Sequence, residues 1–279
     1  MKIRRKISGA LSILILAIII FSSIFATYVA PYDPNVQDSS RRLEGPSAEY
    51  KLGTDALGRD LLSRIIHGAK TSIVIALFAT IISMLIGTIV GIIGGYYGGT
   101  IDYLLTSVTN IFQALPEMCF TIAIAGILGP NIKNLILALS ITSWAGFSRI
   151  IRTEILKVKE EPYIEAMICL GSSDLSIILK HIIPNILPNI IVLFAIRTGR
   201  AILSVAALSF LGLGVQPPTP DWSVMINDAR LYYRSYPHLL IIPGFFIFIT
   251  LMSINTIGDF LRDIFDVRSE EIIWPRFQI

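Results

Sequence analysis

Two arginines three residues apart, Arg197 and Arg200, stand inside a long apolar stretch of this sequence. That spacing puts both on one face of a helix. An arginine held in hydrocarbon costs about 2.5–3.5 kcal/mol on insertion scales, so it faces a cavity or a partner. The chemistry on offer is stabilisation of a carboxylate, or of the acid groups of a chelate. A second apolar stretch carries Glu117. Pairing of the arginines with Glu117, or with an acid on a partner chain, is the competing reading. The metal-ligating types His67, His181, His238, Met118 and Cys119 are scattered along the chain and form no cage. Cys119 and Cys169 fit neither a metal spacing nor a disulfide framework. Gly68-Ala69-Lys70-Thr71 resembles the end of a phosphate-binding loop but lacks the adjacent Gly-Lys pair and the upstream glycine. Gly212-Leu213-Gly214 follows no strand, and Pro217 stands where a nucleotide fingerprint needs its third glycine. No hydrolytic Ser/His/Asp set is visible. The sequence therefore calls for no catalytic residue, no metal site and no cofactor.

Composition says where such charges must live. Of 279 residues, 53% are hydrophobic and only 15% charged, with a mean hydropathy of +0.69. Soluble domains carry about 25% charged residues. The apolar residues come in blocks, the mark of a membrane protein. A net charge of +3 is too small to imply a nucleic-acid partner.

Six stretches reach the ~20 apolar residues needed to cross a bilayer: 7–29, 71–95, 103–128 (interrupted by Glu117), 132–151, 186–208 and 239–258. Helices are the expected form, because backbone in lipid must bond to itself. The first stretch is too long for a signal-peptide core and reads as an anchor helix. Lys2, Arg4, Arg5 and Lys6 place the N-terminus in the cytoplasm, and six spans place the C-terminus there too. The chain divides into an anchor helix at 1–30, an extracytoplasmic loop at 31–70, a five-helix core at 71–268 and a cytoplasmic tail at 269–279. In the loop, Leu61, Leu62, Ile65 and Ile66 alternate with Arg59, Asp60, Ser63 and Arg64, predicting an amphipathic helix at the membrane interface. Gly87, Gly91, Gly95 and Gly99 recur every fourth position, predicting a flat stripe for close helix packing.

The segment 152–184 is unusually polar and should project into the cytoplasm. A helix stops at Pro162. A second runs through Glu165-Ala166-Met167 to Gly171, and a third starts at Ser172 or Ser173 and should end near Pro184. This helix–glycine turn–helix elbow suits a groove on another protein, with Leu170, Leu175, Ile178 and Leu179 as apolar anchors and Glu165 and Lys180 at the rim.

Glu165-Ala166-Met167, Gly171 and His181-Ile182-Ile183-Pro184 at their spacing resemble the EAA loop of binding-protein-dependent ABC importer permeases. Leu52-Gly53-Thr54-Asp55 with Gly58-Arg59-Asp60, Gly95-Tyr96-Tyr97-Gly98-Gly99, and Ser209-Phe210-Leu211-Gly212-Leu213-Gly214 with Pro217-Pro218 are similar to the second permease of the peptide/nickel subfamily. The resemblance implies an all-α polytopic permease of the cell membrane, itself not an enzyme. Its partners would be a second permease, two ATPase subunits that dock on the elbow, and an extracytoplasmic solute-binding protein. Glu165, Ala166, Met167, Gly171, His181 and Pro184 would carry ATPase coupling, while Arg197, Arg200 and Glu117 would line the path. Trp222 to Arg230 resembles nickel-type permeases, and Val205 stands where peptide-type ones commonly carry Glu. These two features lean toward nickel, while the arginine pair suits a chelate or a peptide better than the bare ion. An ion-coupled secondary transporter is the alternative.

Overall fold

Apolar blocks of this length leave the backbone one economical form, and all of them are helical. The computed structural model describes residues 2–271, with side chains over 7–265. The elements are α1 (Lys2–Ile24), α2 (Ala26–Val29), α3 (Leu61–Tyr97), α4 (Gly99–Ala114), α5 (Glu117–Leu128), α6 (Ile132–Lys159), α7 (Pro162–Cys169), α8 (Asp174–Ile177), α9 (Ile183–Phe210), α10 (Trp222–Ala229) and α11 (His238–Glu271). Among the described residues no strand forms, only a single bridge between Thr54 and Asp60. Five helices are long and apolar enough to cross a membrane, or six if α4 and α5 count as one span. The bundle is thus all-α and polytopic. Most of the tail placed at 269–279, including Arg276, lies outside the described residues.

The third span departs from its sequence reading. It is not one helix: α4 and α5 meet at an 86° bend. Leu115 is extended and Pro116 follows it, so the backbone cannot carry the helix through. At 1.5 Å per residue neither half alone crosses about 30 Å of hydrocarbon.

The amphipathic segment also departs from expectation. It is continuous with the second span, so a boundary between residues 70 and 71 falls inside α3. Its polar face is not in water. Arg59, Asp60, Ser63 and Arg64 are all buried, as are Leu61 and Ile65 on the other face. Opposite charge makes this tolerable. Arg59 Nε lies 2.6 Å from Asp55 Oδ2, Arg59 Nη2 lies 3.3 Å from Asp228 Oδ2, and Arg64 Nη1 donates to the Pro34 carbonyl at 3.0 Å. Residues 31–60 and α10 wrap this end of α3. Trp222 Nε1 donates to the Ile65 carbonyl at 2.9 Å, and Ser72 Oγ donates to Asp221 Oδ2 at 2.7 Å. Asp221 also caps α10, accepting from the N–H groups of Ser223 and Val224. Burial pushes the Asp221 carboxyl above the usual range against the pull of these donors. Burial likewise raises Asp228, with Arg59 and Arg64 pulling it down.

The spine of the bundle is the α3–α6 pair, the most extensive helix contact in the chain. Its basis is the glycine stripe. A Cβ on Gly87 would sit 2.6 Å from the Trp144 carbonyl oxygen, one on Gly91 2.9 Å from that of Ser148, and one on Gly95 3.2 Å from that of Arg152. The stripe has three members rather than four, because α3 ends at Tyr97 and Gly99 opens α4. Gly87→Leu is expected to destabilise the bundle by at least about 1–3 kcal/mol. A lowered unfolding temperature in detergent would register this, and an unchanged one would mean the two helices are not in backbone contact there.

Candidate functional site

Three places bring the chemistry-bearing residues together. The first is the elbow between α6 and α9. Pro162 occupies the first turn of α7, where its missing N–H costs nothing. Past the end of α7 at Cys169, Gly171 takes a left-handed conformation, φ +79°. The Gly171 N–H donates to the Ile168 carbonyl and the Ser172 N–H to that of Met167, at 3.0 and 3.1 Å. This satisfies carbonyls that the helix end would orphan. A Cβ at Gly171 would meet nothing within 4 Å, so the demand here is conformational rather than steric.

The return limb differs from the sequence reading. It does not end near Pro184. α8 passes through a π-helical turn, Ile178–Ile182, straight into α9. Pro184 has no N–H to close onto residue 180, and the wider turn just before it accommodates that gap. Of the expected anchors, Leu170, Leu175 and Leu179 are exposed (85%, 66% and 54%), but Ile178 is buried. Ile178 joins Ile164, Ile177 and Ile182 in packing on Ile151, Ile155 and Val158 of α6 and on Tyr96 of α3. Glu165, Ala166, Gly171 and Pro184 face outward, while Met167 and His181 are half-buried. The His181 ring lies 6.5 Å from that of Tyr163.

The second place is a cavity of about 230 Å³ among α3, α5, α6 and α9. Arg197, Arg200 and Glu117 all line it, beside Thr80, Ser83 and Ser143. So the structure brings together three residues that lie up to 83 positions apart (200 minus 117). The bend at Pro116 is what places Glu117 here, as the exposed first residue of α5. A carboxylate is favourable at that end of a helix dipole. Glu117 is not ion-paired with the arginines. Its Oε1 accepts instead from Ser143 Oγ at 2.7 Å. Among the described residues no ion pair includes Arg197 or Arg200. Arg197 is half-buried, with its guanidinium 5.6 Å from the centroid of the Phe147 ring. Gly146 makes its recess: a Cβ there would lie 2.5 Å from Arg197 Nη2.

The third place is a larger cavity of about 420 Å³ at the opposite end from the elbow. Asp55, Arg59, Asn227, Asp228 and Arg230 supply its polar wall. The residues that suggest nickel divide between settings. Val205, Trp222 and Val224 are buried packing residues, while Met225, Asn227, Asp228 and Arg230 line this cavity. Among the described residues no three His, Cys, Asp or Glu side chains could hold a metal ion together. Gly68-Ala69-Lys70-Thr71 lies within helix α3, so it forms no phosphate-binding loop.

Sequence reasoning missed Tyr96, Asp174 and Lys159, which meet at the root of the elbow, and Phe147 and Gly146, which seat Arg197. Tyr96 was visible only as part of the Gly-Tyr-Tyr-Gly-Gly mark. Nothing in a linear reading connects it to a residue 78 positions away.

Residues 87–270 match the family described as binding-protein-dependent transport system inner membrane component. Residues 2–46 match the N-terminal transmembrane domain of oligopeptide transport permease C. The chain is 41% identical over 266 residues to the glutathione transport system permease protein GsiD of Escherichia coli O6:K15:H31 (strain 536 / UPEC), covering 95% of this chain and 88% of that protein. The same figures hold for GsiD of Shigella boydii serotype 4 (strain Sb227). Among solved structures, a chain of the inward-facing MetNI methionine ABC transporter aligns with a TM-score of 0.59 at 16% identity, over 72% of this chain and 95% of that one. A chain of an amino acid ABC transporter crystallised with histidines aligns at 0.57 and 19% identity, over 74% and 94%. At such identities these two establish a shared fold.

Proposed function

The chain belongs to the binding-protein-dependent transport system inner membrane components, and from that membership we propose that its solute is a small carboxylate-bearing peptide of the glutathione kind. The chain is a multi-pass, non-catalytic permease subunit of an ABC importer, and ATP is hydrolysed by separate subunits. In the proposed assembly it pairs with a second permease in the cell membrane. Two ATPase subunits receive Leu170, Leu175 and Leu179 of the elbow on the cytoplasmic side, where both termini also lie. A solute-binding protein delivers from the other side. Glu165, Ala166, Met167, Gly171, His181 and Pro184 form the coupling segment, and closure of the ATPases rocks the bundle between two openings.

One observation carries the choice of solute: Arg197 and Arg200 line a cavity among α3, α5, α6 and α9, and among the described residues no acid forms an ion pair with them. Two guanidiniums without an ion-pair partner suit a carboxylate. Glu117 across the same cavity suits an ammonium group, and a peptide carries both. The names of the glutathione permeases point the same way. Nickel, the second reading, has Val205 and the 222–230 segment in its favour, and the electropositive wall would then take the metal as an anionic chelate.

The test is uptake by the complete transporter in proteoliposomes, offered glutathione, dialanine, Ni²⁺ and a nickel–histidine chelate. ATP-dependent accumulation of glutathione or dialanine, with no response to either form of nickel, is the expected result. Saturable nickel uptake that glutathione does not compete away would overturn the peptide reading. Uptake driven by an ion gradient in the absence of ATP would mark a secondary transporter instead.

A further inference from the structure

The Gly95-Tyr96-Tyr97-Gly98-Gly99 segment has had no part in the function so far. Structurally it is the joint between α3 and α4. Gly98 and Gly99 are both left-handed, at φ +69° and +56°, which turns the chain sharply just after Tyr96. The turn leaves Tyr96 at the very end of α3 and 6% exposed, within reach of both roots of the elbow. Lys159, the last residue of α6, donates from Nζ to the Tyr96 carbonyl at 2.7 Å and lies 5.7 Å from the ring centroid. Asp174, the first residue of α8, accepts from the Tyr96 phenol at 2.8 Å through Oδ1. One residue, by its carbonyl and its phenol, thus holds the chain where it leaves the bundle for the elbow and again where it comes back.

We infer that Tyr96 is a positioning residue for energy coupling: by gripping both roots of the elbow it fixes the angle at which nucleotide-driven displacement enters the α3–α6 pair. The inference rests on the importer reading above. Apolar packing of Ile164, Ile177 and Ile182 against α6 holds the elbow in place, but such contact is non-directional and lets the surfaces slide. A hydrogen bond to a carboxylate fixes direction as well as distance. The return limb contains a compliant point of its own, the π-helical turn at Ile178–Ile182, where a push on the elbow could be absorbed before it reaches α9. Anchoring Asp174 to α3 ahead of that turn diverts the push into α3. The close backbone contact at Gly87, Gly91 and Gly95 then makes α3 and α6 move as one body.

Tyr96→Phe removes one oxygen and keeps the ring, its packing and the lysine above it. In proteoliposomes holding the complete transporter, solute imported per ATP hydrolysed is the readout, with glutathione and dialanine as probes. The expected result is continued ATP hydrolysis with that ratio lowered about tenfold, the size of effect lost with a hydrogen bond to a charged group. Asp174→Ala, at an exposed position, should lower the ratio equally. The double variant should be no worse than either single one, because both remove the same bond. A residue that merely packs would leave the ratio untouched, so an unchanged Tyr96→Phe overturns the inference, as does an additive double variant. Should Tyr96→Phe fail to assemble with its ATPases, Asp174→Ala decides alone. A wild-type complex that moves neither probe removes the peptide-importer reading beneath, a result distinguishable from a coupled wild type with an unaffected variant.

Discussion

Arg197→Glu is expected to reduce ATP-driven uptake of a peptide substrate roughly a hundredfold, the equivalent of about 3 kcal/mol. The figure follows from what truncating or reversing one member of a desolvated charge contact costs, about 2–5 kcal/mol. Reversal turns an electropositive wall into one where the new acid and Glu117 share a 230 Å³ cavity. An incoming carboxylate then meets repulsion where it met a guanidinium. Arg197→Lys should retain most of the activity, since the charge remains, but with some loss because an ammonium cannot bind a carboxylate through two parallel bonds. Concentration dependence in proteoliposomes separates the two variants, and detergent-solubilised complexes report whether each still assembles. If Arg197→Glu transports glutathione and dialanine as well as the wild type does, the cavity is not on the solute's route.

Gly171→Pro should leave the bundle in the membrane and abolish its communication with the ATPases. Proline locks φ near −65°, whereas Gly171 sits at +79°. Proline also lacks the N–H that Gly171 donates to Ile168. Together these cost about 3 kcal/mol or more locally, so a docking-competent elbow becomes roughly a hundredfold rarer. The damage stays local because Gly171 is exposed and the packed residues of the elbow, Ile164, Ile177 and Ile182, lie away from it. Gly171→Ala is the graded control. Its Cβ would meet nothing within 4 Å, leaving only the backbone penalty of about 1–2 kcal/mol. Co-purification of ATPase subunits and uptake should fall together, in the order Gly, Ala, Pro. Full ATPase recovery with Gly171→Pro would mean that docking does not use this turn.

The residues that were read well from sequence share a property: their behaviour depends on near neighbours. The apolar stretches announced helices because twenty consecutive residues decide whether a segment prefers lipid. Gly171 between two helix-forming runs announced the elbow because a left-handed turn is a matter of one residue's backbone. Glu117 marks an interruption in the third span, yet the bend falls at Pro116, and its 86° angle depends on where α6 holds each half, through Gln113 to the Ala145 carbonyl and Thr121 to Thr142. Arg59 and Arg64 were misplaced for the same reason in reverse. Alternation of polar and apolar residues says that two faces differ, not that one of them is wet, and here Asp55, Asp228 and the Pro34 carbonyl replace water. The spacing of Ile178 from Leu175 and Leu179 suits an anchor but does not reveal which side meets α6. Gly99 dropped out of its stripe because a periodicity does not know where the helix stops.

The amino-acid order by itself settled that this is a helical membrane protein with a polar elbow and charged residues stranded in apolar segments. Those are consequences of transfer free energy and backbone conformation, both local quantities. Tertiary structure alone decided that Arg197, Arg200 and Glu117 share a cavity without pairing, and that Tyr96 reaches Lys159 and Asp174. Such contacts act over a few ångströms of space between residues many positions apart. Only the packing of whole helices, set here by three glycines on α3 and a bend at Pro116, brings them within range.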